Sequence, residues 1–480
     1  MARRYITLAG PFRGEMGQMY VRCPACGEVL PLAEAREQAM VCPWCDFHFP
    51  WEATAHLELL ADAGSFRPLA GSPAGPLLLG QATLHGRPVA VAVADGTVRW
   101  NASEVRALIA LLEEARLERR PLLWVMAATQ GTEAESYWPG VHLALKRLQA
   151  ASRPWLALLS GPGYGLPAAT ALQADLLLAE PGAVLRPARP EVLRRAGRLP
   201  PEVLRPPRKV LSAGWADAVL PRREQRAVLA HLLDLLGAAG PPPPRPEPAV
   251  PWPWPLGRPA GDEGDFFELH GDRCSGDDAA LRGGLARLGE DLRLLLLATA
   301  QGRGRPAACP PDGIGAGGWR KATRLLLLAG RFGLPVVTLI GRSTLHLGRK
   351  QREAELSASL GEAMDTFLTL PVPTVAVALE GDDGPAGLAL TAADALLALP
   401  EAAASLREKG LEADEEVATP EDLPEALKRH LHELLQTYAI HGPLGRSKLL
   451  QRRHVRWARL AAEAEKPLLR CSPMETGDET

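Results

Sequence analysis

The sequence contains no run of about 18 uninterrupted apolar residues, the length a helix needs to cross a bilayer. Its first residues, MARRYITLAGPFRGEM, offer no apolar core followed by a small-residue cleavage site, so the expectation is a cytoplasmic protein with no membrane partner. A dominant charge is missing too. The 54 Lys and Arg against 56 Asp and Glu leave a net charge of −2, which excludes a global field for nucleic acid and leaves only local patches. Cysteine is scarce: seven in 480 residues, four of them in two tight pairs, suit a metal site in a reducing compartment better than a disulfide framework. Cys274, Cys309 and Cys471 are scattered and read as incidental thiols.

The pairs are Cys23-Pro-Ala-Cys26 and Cys42-Pro-Trp-Cys45, with fifteen residues between them. This spacing lets two knuckles supply four thiolates to one tetrahedral Zn²⁺, and a stretch so short has no core of its own without the metal. Four protein ligands leave no open position, so the metal is expected to be structural. Farther on, ten prolines between Pro241 and Pro259 mark a break in the chain. A segment of that kind is an extended spacer of roughly 50–60 Å at most. The expected organisation is a zinc ribbon over 1–50, a domain over 51–238, a Pro-rich linker over 239–260 and a second domain over 261–480.

The two sides of the break repeat one another. A hairpin-like stretch, LLLGQATLHGRPVAVAVADG, precedes a helical pattern, a strand from Pro121, a second helix, a strand from Pro154, the loop GPGYG, a short Ala-rich helix and Asp175-LLLAEP. The second side follows the same order through strands from Pro335 and Pro373 to Asp394-ALLALP. Pro154 to Pro373 and Asp175 to Asp394 share an offset of 219 residues, while Pro121 to Pro335 differ by 214. Strands alternating with amphipathic helices predict an α/β fold with a buried, mainly parallel sheet in each half.

The stretch VRCPACGEVLPLAEAREQAMVCPWCDFHFP, with AHLELLADAGSFRPL after it, resembles the zinc-ribbon start of the bacterial acetyl-CoA carboxylase carboxyltransferase β subunit. The stretch FFELHGDRCSGDDAALRGGLARL, with GGWRKATRLLLLAGRFGLPVVTLI, resembles the α subunit, so the chain resembles a β–α fusion. The resemblance implies two crotonase-like (ClpP/crotonase) domains preceded by the zinc ribbon. It further implies an active site shared by β-derived and α-derived units, and a homo-oligomer. The implied reaction moves a carboxyl group from carboxybiotin, borne by a biotin carboxyl carrier protein, to acetyl-CoA, giving malonyl-CoA for fatty-acid biosynthesis. A separate biotin carboxylase uses the ATP.

The same resemblance points to the residues that would carry the chemistry. The family's paired glycines correspond to Tyr164 and Gly165 in SGPGYG, and its second glycine run to Asp382-Asp383-Gly384-Pro385-Ala386 followed by Gly387. The backbone amides of Tyr164, Gly165, Gly384 and Gly387 are thus the implied oxyanion donors. Pro385 has no N–H to give and two carboxylates stand beside it, which motivates an alternative: a catalytically impaired partner of the carboxylase complex. A further alternative is nucleic-acid binding by a ribbon flanked by Arg3, Arg4, Arg13 and Arg22. His142, His270 and His346, without a recognisable partner in the sequence, read as structural. The C-terminal GRSKLLQRRHVRWARLAAEAEK reads as a basic amphipathic helix that buries Leu449, Leu450, Val455, Trp457 and Leu460 and turns its arginines to solvent or a subunit.

Overall fold

The computed structural model describes residues 12–13, 19–72, 77–94, 100–127, 135–186, 213–243, 265–274, 276–299, 313–341, 350–381, 385–438 and 442–465. Most of the expected linker, Gly384, His346, Cys309 and Cys471 lie outside them. The chain forms two compact units, 1–248 with 273–276, and 249–272 with 277–480.

The first unit opens with a small antiparallel sheet of β1 (Phe12–Arg13), β2 (Met19–Arg22) and β3 (Val29–Pro31), followed by α1 (Leu32–Glu37). Val21, Leu30, Ala35, Met40 and Phe49 build a minute core around Cys23 and Cys42. Next come α2 (Ala53–Leu60) and the meander β4 (Arg67–Pro68), β5 (Leu77–Leu84) and β6 (Arg87–Ala94). The β5–β6 turn is His85-Gly86, with φ +47° and +71°, the doubly left-handed geometry that suits the twist of a tight hairpin.

Then follow α3 (Ala102–Leu117), β7 (Leu122–Met126), α4 (Trp138–Ala150), β8 (Trp155–Leu159), β9 (Pro162–Tyr164) and α5 (Gly165–Ala171). The unit continues with β10 (Leu176–Ala179), β11 (Val184–Arg186), β12 (Ala218–Val219) and α6 (Arg222–Leu235). The seven-stranded sheet runs β12-β10-β8-β7-β6-β5-β4 and is parallel from β6 to β12. Its central strands read LLWVM, WLALL and LLLA and are buried throughout, as strands covered on both faces must be. Although aromatics are few, Trp100, Trp124, Trp138 and Trp155 form one continuous stack in this core, with ring centroids 5.9 to 6.1 Å apart.

The second unit contains β13 (Asp265–Glu268), β14 (Leu281–Leu288), β15 (Leu292–Thr299), α7 (Ala316–Phe332), β16 (Val336–Ile340), α8 (Lys350–Thr369) and β17 (Thr374–Ala378). It ends with α9 (Pro385–Leu390), β18 (Ala395–Ala398), α10 (Pro400–Glu408), β19 (Glu415–Glu416), α11 (Leu423–Tyr438) and α12 (Pro443–Glu465). Its sheet runs β13 to β19 in chain order, antiparallel for three strands and parallel afterwards, the same topology as the first. The 219-residue offset carries β8 onto β17 and β10 onto β18 residue for residue.

Side-chain clasps repeat as well. Asp175 accepts the Trp155 N–H at 2.8 Å, and Asp394 accepts the Thr374 N–H at 2.8 Å. Asp217 takes the Leu177 N–H and Asp414 the Leu396 N–H, both at 2.7 Å.

The C-terminal helix α12 departs from expectation. Arg453 does not face solvent: it is fully buried and donates to both carboxylate oxygens of Asp394 at 2.7–2.9 Å and to the carbonyls of Phe367, Leu370 and Val372. Leu449 is buried as expected, whereas Val455 is exposed, because the helix docks on the face that carries Arg453. Among the described residues, no helix is long and apolar enough to cross a membrane.

Candidate active site and metal centre

The four cysteines that pattern alone paired are brought together. Their sulfurs lie within 4.8 Å of one another, with Cys23–Cys45 at 3.5 Å and Cys26–Cys42 at 3.7 Å. A tetrahedron with metal–sulfur bonds of about 2.3 Å has edges of roughly 3.8 Å, whereas a disulfide would bring sulfurs to about 2.05 Å, so the donor set fits a zinc ribbon. Both knuckles are built alike: Gly27 N–H returns to the Cys23 carbonyl and Asp46 N–H to that of Cys42, with φ +85° at Gly27 and +54° at Asp46.

The ribbon is tied to the sheet by a buried polar knot. From the start of α6, Arg222 grips both oxygens of Glu180 at 2.9 Å and the carbonyls of Ala39, Met40 and Phe49 at 2.8–3.1 Å. Its guanidinium also lies 5.1 Å from the Trp51 ring centroid. Glu180 takes further bonds from His48 at 3.0 Å and Gln225 at 2.9 Å. Burial pushes the Glu180 carboxyl up, but His48 and Arg222 outweigh it and hold it down at about 2. Beside the knot, His56 Nε2 is hydrogen-bonded to Ser160 Oγ at 2.9 Å. Burial lowers the His56 imidazole to about 4 against the raising pull of Glu180, so it is neutral at pH 7.

Ser160 opens the turn that contains Tyr164 and Gly165. Tyr164 is extended (φ −128°, ψ 151°) and Gly165 begins α5 at φ +71°, a left-handed conformation that glycine alone adopts without cost. As the first helical residue, Gly165 presents an N–H that has no acceptor within the helix. Thr170 pins α5 from behind: its hydroxyl is bonded to Trp138 Nε1 at 2.8 Å, His142 Nε2 at 3.2 Å and the Leu166 carbonyl at 2.8 Å. His142 therefore has a positioning partner that the sequence does not reveal.

In the second unit α9 holds the place of α5. Pro385 is its first residue, where a missing N–H costs nothing, and Gly387 is its buried third, still within the first turn of unshared amides. Thr338 ties the far end of α9 through the Leu390 carbonyl at 2.9 Å. His270 also gains a partner, Asp277 at 2.7 Å. Although burial raises the Asp277 carboxyl, His270, the buried Lys321 and the Gly271 N–H hold it well below its usual range.

The family model for acetyl co-enzyme A carboxylase carboxyltransferase-like proteins matches residues 263–407. The β/α carboxyl transferase of Salinispora arenicola is 32% identical over 477 residues, covering 82% of each chain. The chain belongs to the acetyl-CoA carboxylase carboxyltransferase family. A separate β subunit of that family, from Synechococcus sp., is 29% identical over 45% of this chain and 81% of its own length.

Fold comparisons agree with the crotonase-like architecture. Transcarboxylase 12S, solved with methylmalonyl-coenzyme A and methylmalonic acid bound, superposes with a TM-score of 0.65 at 17% identity, covering 85% of this chain and 91% of that one. A single-chain, multi-domain long-chain acyl-CoA carboxylase gives 0.61 at 16% identity, over 86% and 51%. A match over 82% of this chain includes parts of both units.

Proposed function

We propose that the chain is the carboxyltransferase component of an acetyl-CoA carboxylase, moving a carboxyl group from carboxybiotin on a carrier protein to acetyl-CoA to give malonyl-CoA. The observation that carries this reading is the 82% coverage of both chains in the match to the Salinispora arenicola β/α protein, which spans both units at once. Its partners are then the biotin carboxyl carrier protein and biotin carboxylase, and the metal in the cysteine site is Zn²⁺.

In the reaction a methyl proton of acetyl-CoA passes to the ureido nitrogen of biotin as the N–carboxyl bond breaks, and the new C–C bond forms between the enolate carbon and the carboxyl carbon. Because the ureido group takes the proton, no protein acid–base dyad is required. The protein's work is to steady negative charge on the thioester oxygen and on the ureido oxygen. Backbone amides at Tyr164 and Gly165, and at Gly384 and Gly387, are the proposed donors, and loss of one such donor costs about 2.7–4 kcal/mol of transition-state stabilisation.

The test is reconstitution of the purified chain with carrier protein, biotin carboxylase, ATP, bicarbonate and acetyl-CoA. Malonyl-CoA above the control without the chain is expected. Its absence would leave the fold without this activity and favour a role as a non-catalytic partner of the complex.

A further inference from the structure

The knot that holds the ribbon also launches both strands that frame the Tyr164–Gly165 turn. Ser160 directly follows β8 and stands two residues before β9, while Glu180 directly follows β10 and stands four residues before β11. β9 and β11 pair in parallel, Tyr164 lying opposite Arg186. Glu180 N–H bonds the Leu159 carbonyl at 2.8 Å, and Ser160 N–H bonds that of Met126 at 2.8 Å. One side of the turn is therefore set by the backbone beside His56, the other by the backbone beside Arg222.

The second unit supplies an internal control. The 219-residue offset carries Ser160 onto Leu379 and Glu180 onto Leu399, both buried and apolar. The same fold closes these strand ends with leucines in the second unit, where the described residues hold no four-cysteine module. In the first unit Glu180 instead accepts from His48 of the ribbon and from Arg222, the residue that donates to the ribbon's carbonyls, while Ser160 meets His56 of α2.

We infer that Glu180 and Arg222 are positioning residues through which the four-cysteine module sets the geometry of the turn carrying Tyr164 and Gly165, and that His56, its ring 5.1 Å from that of Trp51 just after the ribbon, steadies the Ser160 end of the turn. An intact ribbon keeps the Ala39, Met40 and Phe49 carbonyls on Arg222 and His48 on Glu180. When the ribbon opens, Glu180 loses its His48 bond, Arg222 loses three acceptors, and the ends of β8 and β10 loosen together. The inference rests on the proposed reading of the turn as an oxyanion site, and its test is independent of turnover.

Hydrogen exchange is followed on the full chain, first as purified with its metal content measured, then after chelation. Metal removal is expected to speed exchange in peptides covering 160–171 and 180–186 on the order of tenfold, with 374–398 of the second unit unchanged. Arg222→Lys, which cannot grip carboxylate and carbonyls together, is expected to do the same while the metal content stays at its wild-type value. His56→Phe should speed exchange over 160–165 alone, and His56→Gln, whose amide can reach Ser160, should restore protection. Faster exchange confined to 19–50 after chelation would overturn the inference, as would unchanged protection of the turn in Arg222→Lys and His56→Phe. A failure of malonyl-CoA formation alongside the expected exchange pattern would instead remove the proposed activity and leave the coupling standing.

Discussion

Replacement of Arg453 by Met tests how much of the second unit depends on its last helix. The guanidinium makes two bonds to Asp394 and three to the carbonyls of Phe367, Leu370 and Val372, all in the buried interior. Methionine fills much of the volume but leaves Asp394 charged without its cation, and removing one partner of a buried pair costs about 3–5 kcal/mol. In a unit of this size each kcal/mol moves the midpoint by about 2–4 °C, so a fall of roughly 6–20 °C is expected for the second unit. The assay is calorimetry of the full chain, with exchange in peptides 374–398 assigning the transition. The double variant Arg453→Met/Asp394→Asn should recover part of the loss, since no uncompensated charge remains. A single variant that loses less than about 1 kcal/mol, or a double variant as unstable as the sum of the singles, would refute the reasoning.

Cys42→Ser should abolish stoichiometric metal binding and raise proteolytic cleavage within 19–50, read by elemental analysis and limited digestion. Gly165→Ala places a Cβ at φ +71° and should cost about 1–2 kcal/mol in stability, with kcat falling more than KM rises. Folding stability should decline as pH falls from 6.5 towards 4 because His56, depressed from 6.5 to about 4, binds its proton more readily when unfolded. That contribution is complete above pH 6.5 and amounts to about 3 kcal/mol; denaturant titrations across the range should show His56→Gln with a flatter profile.

The cysteine site and the duplication were legible because each is written in local spacing: a pair of knuckles, a recurring strand-helix order, a constant offset. The buried knot was not, since it joins residues 39–49, 56, 160, 180 and 222, and no periodicity links positions so far apart. One signal was available. Setting DLLLAEP against DALLALP exposes Glu180 as a charged residue where the sister strand ends in leucine. Arg453 departs from its expected exposure for a related reason, while Arg446 and Arg452 face solvent as expected: a charge run gives the composition of a helix and not the direction in which one member points. His142 and His270 looked solitary only because Thr170 lies on another helix and Asp277 on a loop.

The carboxylate clasps of Asp175, Asp217, Asp394 and Asp414 have a bearing on how such a protein can change. Each latches the first amides of a strand from a residue that follows a long connection, so alignment between neighbouring strands is locked at its start and does not depend on the length of the chain in between. The connection between β18 and Asp414 can thus change length without sliding the sheet by a position. Insertions in the connection through α10 to Asp414, which carries none of the proposed amide donors, should therefore be tolerated at small cost to the framework.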